Sequence, residues 1–145
     1  MKDWTTEAVG VARNLQRNGI GGGLLALFLL AVAPVTAGAY GFTAALGWWL
    51  LLAFCLVPLA LAAHLLFDAL LFRMAASYDS EEVGLMVIDD VLARMGLRPR
   101  PTVPAPLSQR VSGCRRLVLL QWSALSIGIL LYAVLLLDAM DGGRP

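Results

Sequence analysis

An all-α integral membrane protein with three transmembrane helices is the fold class this sequence predicts. Three observations carry that expectation: 59% hydrophobic against 14% charged residues, three long runs almost free of charge, and a one-sided distribution of arginine. Soluble domains hold about 45–50% apolar and about 25% charged residues, so this composition suits a chain whose surface meets lipid. At 145 residues the chain has the length of one membrane domain. A net charge of +1 exerts no pull on nucleic acid, so the lipid bilayer is the first expected partner and nucleic acid is not one.

The first span is residues 20–40, "IGGGLLALFLLAVAPVTAGAY", which carries no charge and has close to the ~20 residues a membrane helix needs. The second runs from Ala44 to Phe72. It exceeds the required length, so it either tilts or extends past the bilayer at one end. Trp48 and Trp49 near its start fit an interfacial belt. Only Gly41, Phe42 and Thr43 separate the two runs, a connection that makes an antiparallel helical hairpin. The third span, residues 117–137, follows Arg115 and Arg116 and ends at Asp138, which leaves 138–145 as a tail.

Orientation follows from the bias of lysine and arginine, which keeps the loops that carry them in the cytoplasm. Lys2, Arg13 and Arg17 precede the first span, and Arg73, Arg94, Arg98, Arg100, Arg110, Arg115 and Arg116 lie between the second and third. Only Arg144 falls beyond the third. The pattern predicts a cytoplasmic N-terminus and an external C-terminal tail, and the Ala, Leu and Arg bias points to a bacterial inner membrane. A competing reading takes "VTAGA", with Ala37 and Ala39 in a small-x-small pattern, as a signal-peptidase site. Against it stand the long leader of mixed charge before Ile20 and a mature end that would plunge straight back into the membrane.

Residues 1–19 form an amphipathic segment in which Trp4, Ala8, Val11 and Leu15 recur at helical spacing. It either lies along the headgroups or extends the first span as a helix. The 73–116 loop holds a second helix over 80–96, with Asp79 or Ser80 as N-cap, Glu81 and Glu82 in the first turn and Gly96 as its stop. Its apolar residues Val83, Met86, Val87, Val91 and Met95 form a docking face, widened by Leu85, Ile88 and Leu92, that bilayer, bundle or partner has to cover. The Pro-rich stretch 99–106 reads as a semi-rigid spacer back to the third span.

Candidate functional residues concentrate in "AHLLFDALLFR", where His64 and Asp68 sit one turn apart in an apolar run. With Arg17, Arg73, Arg115 and Arg116 taken as an arginine collar at the cytoplasmic headgroups, Asp68 lies about 7–8 Å inward and His64 about 13–14 Å inward. Gln121, five residues past Arg116, and Gly21, Gly22 and Gly23, just past Arg17, then share the level of Asp68. The expectation is an intramembrane polar clasp of His64, Asp68 and Gln121, with close helix packing at Gly21, Gly22, Gly23, Ala60, Ala124 and Gly128. Gln121, Ala124, Gly128 and Tyr132 form the packing stripe of the third span, and Ala53, Ala60, His64 and Asp68 form the stripe of the second that faces it. Pro58 bends the second span and Pro34 does likewise in the first.

A proton relay is the sharper alternative, since imidazole and carboxylate inside a membrane are functional candidates by default. A metal site is disfavoured because two ligands are too few and the chain has a single histidine. No metal, cofactor or catalytic residue is expected: hydroxyls and thiols are scattered and no phosphate-cradling loop or Cys/His cluster is present. Cys55 and Cys114 fall at different depths and cannot pair within one chain. The function expected is that of a small non-enzymatic membrane subunit that assembles with itself or with other membrane subunits. The alternatives are an oligomeric, holin-like pore and a proton- or ion-coupled transport component using His64 and Asp68.

Overall fold

The computed structural model describes residues 2–36, 42–97, 99 and 106–141. Within them the chain forms four helices, α1 (Lys2–Thr36), α2 (Phe42–Ala75), α3 (Glu81–Arg94) and α4 (Leu107–Asp141), and no strand. Three of these, α1, α2 and α4, are long and apolar enough to cross a membrane. The hairpin residue Gly41, the first-span end 37–40, most of the Pro-rich spacer and the tail beyond Asp141 lie outside the described residues.

The long helices run further than their apolar runs. The amphipathic segment 1–19 is continuous with the first span in one 35-residue helix. Its apolar side is covered by the chain itself rather than left for headgroups: Trp4, Ala8, Ala12 and Leu15 are buried with Ala69, Phe72 and Ala75 of α2 and Leu85 and Ile88 of α3. Likewise α4 begins ten residues before the predicted third span and carries Asp138–Asp141 as helix, not tail. Helix α2 is the centre of the bundle, packing against α1, α4 and α3.

Side-chain chemistry explains where α3 starts and stops. The Ser80 hydroxyl accepts a hydrogen bond from the Val83 N–H at 3.4 Å, capping an N-terminus that Glu81 and Glu82 complement electrostatically. At the other end Gly96 adopts φ +70°, a left-handed conformation costly for a residue with a Cβ. Its N–H reaches the Ala93 carbonyl while the Leu97 N–H reaches that of Leu92, a Schellman closure.

Two apolar cores stack along the bundle. One joins Ala26, Leu29 and Ala33 of α1, Leu51 and Cys55 of α2, and Leu125 and Leu135 of α4. The other surrounds Trp4, Leu65, Phe72, Ile88, Leu107 and Cys114. Between them lies Gln121, fully buried, whose Nε2 donates to the Pro58 carbonyl at 3.3 Å. Gly22 makes room for it: a Cβ there would lie 2.6 Å from Gln121 Cδ. Gly21, expected to pack, is exposed with nothing within 4 Å of its Cβ position.

These two glycines separate space from helix propensity. Gly22→Ala should push the Gln121 amide off Pro58 and lower the thermal midpoint in detergent, by roughly the 1–3 kcal/mol that an unsatisfied buried polar group costs. Gly21→Ala should leave the midpoint unchanged or raise it, since alanine is the better helix former and meets nothing there. Equal effects would show that the Gln121 layer does not hold the helices.

Candidate functional site

Packed pairs along the helices fix their relative register. A Cβ on Gly19 of α1 would meet the Ala62 carbonyl at 3.2 Å and the Leu65 side chain at 3.5 Å. On α4, Cys114 donates its thiol proton to Asp68 Oδ2 at 3.6 Å, and Gly128 abuts Phe54. Further along, the Thr36 and Tyr132 hydroxyls are hydrogen bonded at 2.7 Å. Arg17, two residues before Gly19, and Arg115 and Arg116, just past Cys114, are therefore level with residues 64–68 of α2. All three are exposed.

This register corrects the expected collar. Arg73 is exposed but lies beyond the level of the other three by seven or eight residues, about 11 Å along α2. The inward depths assigned to His64 and Asp68 were measured from Arg73 and shrink accordingly. The arginine level passes between the two groups. His64 is not an enclosed group: its side chain is 58% exposed.

The expected clasp is divided as well. His64 Nε2 lies 3.8 Å from Asp68 Oδ2, but Gln121 joins neither and turns instead to Gly22 and Pro58. Gln121, Ala124 and Gly128 of the α4 stripe are buried and Tyr132 is half-buried. The α2 stripe is not. Ala53, Ala60 and His64 are exposed, while the side facing α1 and α4 is Leu51, Cys55, Pro58, Ala62, Leu65 and Ala69. Helix α2 is apolar almost all round, so periodicity alone does not report its rotation. Gly23 is buried, with its Cβ position 3.2 Å from Ala62 Cβ.

On α3 the side turned to the bundle is Gly84, Leu85, Ile88 and Asp89. Asp89 is 4% exposed and meets Arg110 Nη2 of α4 at 2.6 Å, a buried ion pair that clips α3 to the start of α4. Sequence reasoning missed it, although Asp89 shares the Leu85/Ile88/Leu92 side, where an ionised carboxylate requires a partner. Trp4 adds a second clip. Its indole Nε1 donates to the Tyr78 carbonyl at 3.4 Å, and its ring lies so close to Gly84 that a Cβ there would be 2.9 Å from Cζ2. Of the expected docking face, Val83, Met86 and Met95 are exposed and Val87 and Val91 half-buried.

Between α2 and α4, beneath α3, a cavity of about 360 Å³ is walled by Phe72, Ile88 and Leu117 and carries Asp68, Arg110 and Cys114 as its polar groups. Among the described residues no His, Cys, Asp or Glu grouping could hold a metal ion, and both cysteines are free and buried. The chain matches no protein-family model, no curated protein and no solved structure.

The Asp89–Arg110 pair and His64 should respond oppositely to removal. Asp89→Ala takes the carboxylate away from a largely buried guanidinium and should destabilise the α3 dock by about 3–5 kcal/mol, seen as faster proteolysis and amide exchange across residues 80–97. Asp89→Leu combined with Arg110→Met should recover most of that protection. His64→Ala, at an exposed site, should change abundance and thermal midpoint little, and a large loss of folded protein would restore the clasp reading.

Proposed function

We propose that this chain is a small non-enzymatic membrane subunit that assembles with itself or with a larger membrane complex, with α3 as its docking element. The observation that carries the reading is how α3 is held. One side is clamped by the Asp89–Arg110 pair and by Trp4 against Gly84, while Val83 and Met86 stand 47% and 56% exposed on the other. An apolar face on a pre-ordered helix binds without the entropic cost of folding on contact. The long helices support the same reading, because only 28%, 28% and 22% of their most apolar windows are buried within the chain. The remaining sides are available to lipid and to neighbouring helices.

In this proposal the level of Arg17, Arg115 and Arg116 marks the cytoplasmic headgroups, with the N-terminus inside, the C-terminus outside and a bacterial inner membrane as location. From that level Ala45–His64 spans about 30 Å, the thickness of a bilayer's hydrocarbon core. The parts of α1, α2 and α4 on the other side, with α3, then form a juxtamembrane layer around the Trp4/Phe72/Ile88 core. Most large exposed apolar residues, such as Leu27, Phe28, Trp49, Leu56, Leu119 and Leu130, fall within the proposed spans.

Purification in mild detergent should recover the chain as a homo-oligomer or with a stoichiometric membrane partner. Val83→Glu combined with Met86→Glu should abolish that association without lowering abundance, since both positions are exposed. A monodisperse monomer from the unmodified chain would overturn the subunit reading.

A further inference from the structure

Where α1 meets α4, a short chain of hydrogen bonds ends in donors. The Trp122 indole donates to Asn18 Oδ1 at 3.2 Å, and Asn18 Nδ2 donates in turn to the Asn14 carbonyl and to Asn14 Oδ1, both at 2.9 Å. That order of donation leaves the Asn14 amide nitrogen without a partner among the described residues. Arg17 follows Asn14 and precedes Asn18, and Arg115 lies about two turns before Trp122 on the same side of α4. Both arginines are exposed and meet no carboxylate among the described residues. They are level with each other, because Gln121 meets Gly22 and the two helices run parallel, which sets Arg115 beside residue 16 of α1. On that side of α1 the nearest carboxylate is Glu7, about two turns, or about 10 Å, from Asn14. Asp68, near the arginine level, is engaged by Cys114 and His64. The unused polar groups of this groove are therefore donors, two of them cationic.

Open space and apolar flanks continue from this cluster toward the proposed spans. Gly21, one turn past Asn18, has nothing within 4 Å of its Cβ position. Phe28 and Ile129, seven residues past Gly21 and Trp122 and so on the same sides of their helices, are 61% and 41% exposed. We propose that the α1/α4 groove binds an anionic phospholipid of the phosphatidylglycerol class. Its phosphodiester sits between Arg17 and Arg115 with the Asn14 amide as a further donor, and its acyl chains lie along Phe28, Trp122 and Ile129. A phosphodiester without a cationic head neutralises the two guanidiniums, whereas the ammonium of a zwitterionic head would enter a groove that offers it no carboxylate. The assignment rests on the arginine level marking the headgroups and is separate from the docking role of α3.

The test is lipid retention by the purified full-length chain, delipidated and then exposed in separate arms to phosphatidylglycerol, phosphatidylcholine or sn-glycerol 3-phosphate, and read by native mass spectrometry. The unmodified chain should retain phosphatidylglycerol over phosphatidylcholine by about tenfold and should not retain the soluble phosphate ester. Arg17→Gln and Arg115→Gln should each lower retention of phosphatidylglycerol about fivefold, the effect of one arginine at an anionic surface. Both positions are exposed, so the fold is kept. Arg116→Gln is the comparison: Arg116 is exposed at the same level but about a third of a turn away from Trp122, and its loss should change retention less than about twofold. Equal retention of the two phospholipids, retention of glycerol phosphate, or an Arg116→Gln effect as large as the other two overturns the proposal, the last by reducing the site to a general arginine belt. Labelling of Arg116→Cys in membranes by a maleimide that stays in water reads the level separately, since both native cysteines are buried. Labelling without a lipid preference removes the lipid site and leaves the level standing, whereas absence of labelling overturns the level itself. Val83→Glu with Met86→Glu should leave retention intact, so loss of partner and loss of lipid are scored separately.

Discussion

The rest of the structure depends on one buried amide. Gln121 lies between Gly22 of α1 and the Pro58 carbonyl of α2, and it is the side chain through which three long helices are held in one register. Apolar surfaces slide against one another at little cost, because every neighbouring position offers similar contact. A buried amide does not slide, since losing its acceptor strands a donor in a low-dielectric interior. Its Oε1 has no hydrogen-bond partner among the described residues, which makes the Nε2 bond to Pro58 the more important. The combination is selective because it needs both a glycine opposite and a carbonyl within reach.

Everything at the polar end of the bundle follows from that register. With Gln121 at Pro58, α4 carries Cys114 to Asp68 and places Arg110 where α3 arrives with Asp89. The ion pair is the reason a short helix outside the long bundle takes one definite seat. Its charges are buried, so the pairing contributes specificity of placement more than net stability. Trp4 works with it from the other side, and Gly84 permits the close approach that neither a larger residue nor a looser helix would allow. Two polar contacts and one aromatic contact thus convert an amphipathic segment into a fixed platform with an outward apolar face.

Sequence periodicity reported what depends on local chemistry and missed what depends on rotation. The three long apolar helices, the Ser80 cap, the Gly96 stop and the small-residue stripe of α4 were all legible, since each is written in residues that differ from their neighbours. The stripe assigned to α2 was not, because Leu, Ala and Phe occur on every side of that helix and only partners reveal which side is inside. Level was misjudged for a related reason. All three long helices run on past the level of Arg17, Arg115 and Arg116, and Arg73 sits on the part of α2 beyond it, two residues before that helix ends at Ala75. Asp89 was legible in principle: a carboxylate one turn from Leu85 and Leu92, on their side, demands a counter-charge, and Arg110 was there to be counted.

The corrected level alters what His64 can mean. A histidine deep among apolar helices would need a specific partner, and its presence would argue for proton chemistry. At the level of Arg17 and Arg116, with 58% of its side chain exposed, it needs none under the proposed placement of that level at the headgroups, where headgroups and water supply what the chain does not. The core on the far side of Gln121 is built from Ala, Leu and Cys, and its polar contact at the other end, Thr36 with Tyr132, is separated from Asp68 by those apolar layers. A relay would have to cross them without a carboxylate or an imidazole among the described residues, whereas a boundary site needs only the geometry already present. The chemistry of this chain is thereby moved from the middle of the bundle to its polar edge, where a carboxylate, an arginine level and a clamped helix share one surface.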